Sequence, residues 1–210
     1  MTSKSLKTSP TPDDEFERLL FVLNTEVSCG RMHLEIARKI STVAAERPHL
    51  LQCAQVFFVL TFRAHLESAY LRAARLFDSK SGTAAIASIP QAAEMHAGTF
   101  QYATPPEVRA QIKVWEGQIA SARHLVDRLR ELRNALIAHL DRNVILDPQE
   151  MNRTVAVTFT EIDGLLDTAK KIVRDALAAY NNAIYVDDLL PNDVDSFFRV
   201  FELAAIESKQ

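Results

Sequence analysis

The sequence predicts an all-α protein, an up-and-down bundle of four or five main helices, and three observations point there. Apolar residues recur at steps of three and four through most of the chain, the spacing that lines one face of an α-helix. Five glycines among 210 residues are too few for an architecture of strands and tight turns. Ala, Leu, Glu and Arg are abundant, and all four are good helix formers.

Taken in order, residues 1–12 are polar, rich in Ser, Thr, Lys and Pro, and have no apolar run. They read as a disordered tail and not as a signal peptide. Residues 13–210 then form one domain, an ordinary size for a single core. Asp13 and Asp14 suit the positive end of a first helix. Phe16, Leu19, Leu20, Leu23 and Val27 give it an apolar face, which Leu34, Ala37, Ile40 and Ala44 continue to about Glu46. Gly30 is expected to loosen it. A second helix is expected from Pro48 to Asp78. Its middle, Val56 to Leu60, is apolar all round, which predicts burial by neighbours on several sides. Its second half carries a polar row of His65, Ser68, Arg72 and Arg75.

Residues 79–103 contain Gly82, Pro90 and Gly98 and read as a connection with short helices near 83–89 and 91–95. Thr104-Pro105-Pro106-Glu107 then signals a strong helix start, with a capping Thr, Pro at the first position and Glu at the third. Beyond Asp141 the pattern changes. The runs 143–146 and 154–159 fit either a small hairpin or an extended loop. Thr160 to Asp163 offers a cap for an amphipathic helix from Ile162 to about Tyr185. Pro191 begins a last helix with Val194, Phe197, Phe198 and Phe201 on one side.

The longest predicted helix, from Pro105 to about Asp141, carries the chemical lead. Val108, Ile112, Trp115, Ile119, Ala122, Val126 and Leu129 form a seam whose next members by the same steps are Arg133, Leu136 and Leu140. A guanidinium therefore stands where an apolar side chain was due. His139 lies on the neighbouring row of Leu125, Leu129, Leu132 and Leu136. At about 100° per residue, Arg133 and His139 flank Leu136 by roughly 60° each and stand about 9 Å apart along the axis. A cation on an apolar face costs free energy unless it is paired or opens onto a wet cleft.

Arg133, the polar Asn134 directly after it and His139 resemble the Arg-polar-His motif of HEPN domains, all-helical domains found in many nucleases of defence and toxin systems. The wording Leu132-Arg133-Asn134…Ala138-His139-Leu140-Asp141 is most similar to the abortive-infection U-type (AbiU-like) subfamily. Tyr70-Leu71-Arg72-Ala73-Ala74-Arg75-Leu76-Phe77-Asp78 resembles that subfamily's earlier helix end, so the likeness covers roughly residues 16–185. It implies a homodimer with a composite Arg/His site at its interface, RNA as substrate, a metal-independent endoribonuclease of a phage-defence or toxin–antitoxin type, and an antitoxin as partner. Arg133, His139 and Asn134 would be catalytic. Arg72, Arg75, Asp78 and Arg130 are candidates for lining the same cleft. The alternative is a non-catalytic HEPN-like module that binds RNA or a protein. Some HEPN toxins have a modifiable tyrosine two positions after the motif histidine; here that position is Asp141.

The formal net charge of −3 gives no global basic field, so a polyanion site must be a local patch. Residues 123–142 are locally cationic, with Arg123, Arg128, Arg130, Arg133 and Arg142 against Asp127, Glu131 and Asp141. The six histidines show no zinc-ligand spacing, and no phosphate-cradling glycine loop is present; neither a metal nor a cofactor is expected. Cys29 and Cys53 are more simply two reduced thiols than a disulfide framework. No run is long enough to span a bilayer, and a cytoplasmic protein is expected.

Overall fold

The computed structural model describes residues 14–52, 54–78, 84–133, 157–183, 196 and 198–200. It is a helical bundle, with no strand among the described residues. Its elements are α1 (Glu15–Glu46), α2 (Pro48–Gln52), α3 (Gln55–Leu76), a 3-10 turn (Ile86–Ser88), α4 (Ile89–Met95), α5 (Pro105–Arg133) and α6 (Phe159–Tyr180). The segments 1–13, 134–156, 184–195 and 201–210 lie outside the described residues. With them go the tail, the hairpin-or-loop alternative and most of the last helix, of which Phe198 to Val200 are described and helical.

α1 is the spine. Asp14 caps it, its Oδ1 accepting from Phe16 N at 2.8 Å and Glu17 N at 3.2 Å, which satisfies two of the amides a helix start leaves bare. α3 runs antiparallel to it: Glu26 faces Arg72 and His33 faces His65. α6 is also antiparallel, with Arg38 on Asp163, Arg31 on Asp167 and Glu17 on Asn181. α5 packs on α3, α4 and α6. One core joins all of them, from Phe16, Leu20 and Leu23 through Ala69 and Ala73 to Trp115, Leu129, Ile162, Leu166 and Ile172. Trp115 is fully buried, and its indole N–H finds no hydrogen-bond partner among the described residues. Burying such a side chain repays the orphaned donor, since the ring alone contributes about 3 kcal/mol and the donor costs about 1–3.

Gly30 does not loosen α1. It is buried at the junction of three helices, where a Cβ would stand 3.0 Å from Leu166 Cδ2 and 3.6 Å from Arg72 Cβ. The missing side chain lets α3 and α6 approach together. Farther along α1, Val43 is buried and Ala44 is exposed, so the apolar face turns slightly from the predicted row toward a satellite cluster.

The expected helix from Pro48 to Asp78 is two helices. Ala54 leaves helical geometry (φ −145°, ψ 48°), and the bend lets Leu50 bury beside Ile40, Val43, Phe58 and Phe198. The apolar stretch after it is not enclosed. Phe58 is buried, but Val56 is 73% exposed and Leu60 60%, with Phe57 and Val59 also open.

α6 is capped two residues before the predicted position. Thr158 is the N-cap: its Oγ1 accepts from Glu161 N at 3.2 Å, and its own N–H donates to Glu161 Oε2 at 2.7 Å, a full capping box. The helix stops at Tyr180 and not near Tyr185, because Asn182 takes a left-handed φ of 54° and Asn181 Oδ1 accepts from Ala183 N. Asparagine tolerates that region and ends helices there.

Candidate functional site

The seam of α5 is real as far as it is described. Val108, Ile112, Trp115, Val126 and Leu129 are buried, with Ile119 and Ala122 partly so. The neighbouring row turns inward too, with Leu125 half-buried and Leu132 buried. Thr104 begins this helix as expected, its N–H and Oγ1 both donating to Glu107 Oε2 at 2.7 Å. The two amide and hydroxyl bonds from Thr104 hold the Glu107 carboxyl below its ordinary range. Arg133 is the last residue described as helical; its side chain, Asn134 and His139 lie outside the described residues.

The last turns of α5 meet two other helix ends. On one side Arg130 Nη2 reaches Asp78 Oδ1 at 3.4 Å and the Phe77 carbonyl at 3.5 Å, just past α3, while its Nη1 holds Asp127 at 3.2 Å. A cation on the final carbonyls of a helix is well placed against its dipole. On the other side Arg128 Nη1 donates to Glu161 Oε1 at 2.7 Å, in the first turn of α6. The bond from the Thr158 amide, then that from Arg128, pushes the Glu161 carboxyl down to about 2. Tyr70 of α3 donates to the Val157 carbonyl at 3.2 Å. Burial raises its phenol, and the Glu161 charge adds to the rise. Arg133 thus closes a helix whose end is anchored to α3 and α6 by ion pairs.

The structure brings Arg130 and Asp78 together, as an ion pair. Arg72 turns toward α1, its Nη1 2.8 Å from Glu26 Oε2, a pairing by proximity without an aligned hydrogen bond. Arg75 is exposed, on the outer face of α3. Arg72 and Arg130 would each have to exchange a carboxylate for a phosphate before binding one.

Two features escape the sequence reading. His33 Nδ1 and His65 Nδ1 are 2.8 Å apart across the α1–α3 contact, one imidazole donating and the other accepting. Burial lowers both; His65 and the Arg72 charge lower His33 further. Nothing in a single helix signals such a pair, since it depends on the register between two helices. The second is a cleft between α1 and α6 lined by Arg31, Lys170, Lys171 and Arg174. Its signal was legible as Lys170-Lys171 followed three residues later by Arg174. Among the described residues no group of three His, Cys, Asp or Glu side chains is placed to hold a metal ion, and no helix is long and apolar enough to cross a membrane. Cys29 carries a free thiol on α1, while Cys53 lies outside the described residues.

The sequence model of the AbiU2 family of HEPN domains matches residues 14–202. No curated protein and no solved structure matches the chain. The match runs from the Asp14 cap of α1 through the motif of α5 to residues beyond Phe198, so it takes in the whole described bundle. The chain belongs to the AbiU2 family of HEPN domains.

Proposed function

We propose that the protein is a metal-independent endoribonuclease of an abortive-infection or toxin–antitoxin response, acting as a homodimer with Arg133 and His139 from both copies in one cleft. The observation that carries this reading is the family match across residues 14–202 in a chain that keeps Arg133, Asn134 and His139 at the motif spacing. RNA supplies its own nucleophile. The 2′-hydroxyl loses a proton to one imidazole and attacks the adjacent phosphorus. The P–O5′ bond breaks with a proton delivered from a second imidazole, leaving a 2′,3′-cyclic phosphate and a free 5′-hydroxyl. An imidazole titrates near neutrality and suits both proton transfers. A guanidinium stays charged and forks onto the phosphorane oxygens, with Asn134 assisting. One chain offers one histidine, so two-fold symmetry would supply the second.

The test is cleavage of bulk RNA in EDTA by the wild type, Arg133→Ala and His139→Ala. The expected result is loss of at least about 100-fold in either variant, the usual worth of a general acid–base group. Equal activity in all three, or none in the wild type, overturns the reading. A non-catalytic module that binds RNA or a protein is the second reading. It is favoured by one observation: Arg72 and Arg130, candidates for the cleft, already sit beside carboxylates.

A further inference from the structure

The outer face of α5 carries a charge order that reverses about its middle, at the exposed Ala120. Eleven residues before it stands Arg109 and eleven after it Glu131. Lys113 and Asp127 lie seven residues to either side, and Glu116 and His124 four. At about 100° per residue, steps of four, seven and eleven all return to within about 40° of one direction. These six side chains therefore share a face with Ala120, and all six are exposed. From Arg109 to Glu131 the face is about 33 Å long.

This order does not serve the helix itself. Arg109 and Lys113 are like charges four residues apart, and so are Asp127 and Glu131; such pairs weaken an isolated helix. The cations lie toward the start of α5 and the carboxylates toward its described end, the reverse of what the dipole favours. Within the chain Arg109 Nε donates to Glu94 Oε1 at 2.9 Å, and Arg130 Nη1 to Asp127 Oδ1 at 3.2 Å. Arg109, Glu94 and Asp127 are each at least half exposed, and surface pairs of this kind are weak enough to exchange. The centre of the face is bare: a Cβ on Gly117 would meet nothing within 4 Å. Along one edge runs a groove between α4 and α5, floored by Pro90, Ile112 and Ile119, with Met95 exposed at its rim.

We propose that this face binds a second copy of the chain, the two α5 helices lying antiparallel about a two-fold axis at Ala120. The rotation sets Arg109 against the partner's Glu131, Lys113 against the partner's Asp127 and Glu116 against the partner's His124. Each pairing occurs twice, as an isologous contact requires. Every fixed charge meets its opposite or an imidazole, and Gly117 and Ala120 let the two backbones approach at the crossing. A contact of charges and small side chains belongs to the weak end of stable interfaces and loosens in salt. Arg133 lies thirteen residues beyond Ala120, so the two copies of Arg133 stand about 40 Å apart along the paired helices. This contact is therefore separate from the one that the proposed Arg/His cleft needs, and it does not rest on that reading. A chain making both would form a dimer of dimers.

The experiment is sedimentation equilibrium of the full chain at up to about 100 µM, for the wild type, Lys113→Glu, Asp127→Lys and the double variant, each checked for folding by circular dichroism. Residues 113 and 127 stand about 21 Å apart on one helix, too far to compensate each other within a chain. Rescue therefore reports pairing between copies. Each single reversal turns two opposite pairs into two like pairs and should weaken self-association by at least about tenfold. The double variant should return to within about threefold of the wild type. A monomeric wild type overturns the proposal, as does a double variant no better than the singles. So does a wild-type dimer that Lys113→Glu leaves intact, which would point to the dimer of the Arg/His cleft instead. A tetramer that Lys113→Glu reduces to a dimer supports both contacts. A dimer reduced to a monomer supports this one and leaves the cleft without its second half.

Discussion

The two halves of α3 invert what their sequences advertise. The first half, Val56 to Leu60, is an unbroken run of large apolar residues, yet of its five side chains only Phe58 is buried. The second half reads as amphipathic, with Arg72 and Arg75 among alanines, yet Ala69, Ala73, Ala74 and Leu76 are all buried. The difference lies in the partner. Opposite the second half, α1 offers Gly30, which admits Arg72 Cβ and Leu166 closely. Small residues on both sides bring backbones together and exclude water. Large apolar residues do so only where another element covers them. The His33–His65 pair sits at the boundary between the halves.

Breaking this contrast is a matter of the right substitutions. In the first half the stability should rest on one side chain. Phe58→Ala removes the ring that stacks on Phe198 at 5.8 Å and should cost about 3–5 kcal/mol by urea denaturation. Leu60→Ser, two residues on and open to solvent, should move the same measurement by no more than about 0.5 kcal/mol. A large loss from Leu60→Ser would mean that this face is covered in solution.

In the second half, filling space should do the damage. Gly30→Val forces two methyl groups toward Leu166 and the stem of Arg72 and should cost about 1–3 kcal/mol. Gly30→Ala should be milder, because Leu166 Cδ2 can yield by a few tenths of an ångström and alanine favours the helix by about 1 kcal/mol over glycine. A stabilised Gly30→Val variant would refute close packing at this junction.

The boundary should respond to pH. Both imidazoles are held below 6.5 in the folded chain, chiefly by burial, so below that pH the unfolded chain binds more protons than the folded one. Stability should therefore be level above neutrality and fall as pH drops through 6.5. The charged neighbours of the pair are Arg72 on α3 and Glu26 on α1. Comparing urea midpoints at pH 7.5 and 5.5 checks this, and His65→Gln should shrink the difference. Glu161 acts in a separate window: depressed to about 2, it contributes stability above its unfolded value of 4.5 that is lost only as pH falls toward 2.

Much of the bundle was legible because helix faces and caps are local properties. Asp14, Thr104 with Glu107 and the α5 seam each follow from spacing within one segment. What was misread depended on partners or on backbone geometry at one residue. The bend at Ala54 has no glycine or proline to announce it, and Thr158 and Thr160 both offer a hydroxyl to the same helix start. Exposure of Val56 and Leu60 is decided by what other helices fail to reach them. The motif could be named from Arg133 and His139, since residue type and spacing carry it. The ion pairs that anchor its helix could not, because Asp78 and Glu161 are 52 and 33 residues distant from their arginines.

Those anchors have a consequence for tuning. Arg130 lies one helical turn before Arg133, and in the folded chain Asp78 and Asp127 keep its charge occupied. Exchanging either acid for its amide would leave Arg133 untouched while loosening a guanidinium one turn before it along α5. The charge balance of this tip is thus adjustable from outside the motif, by a counterweight at the foot of another helix.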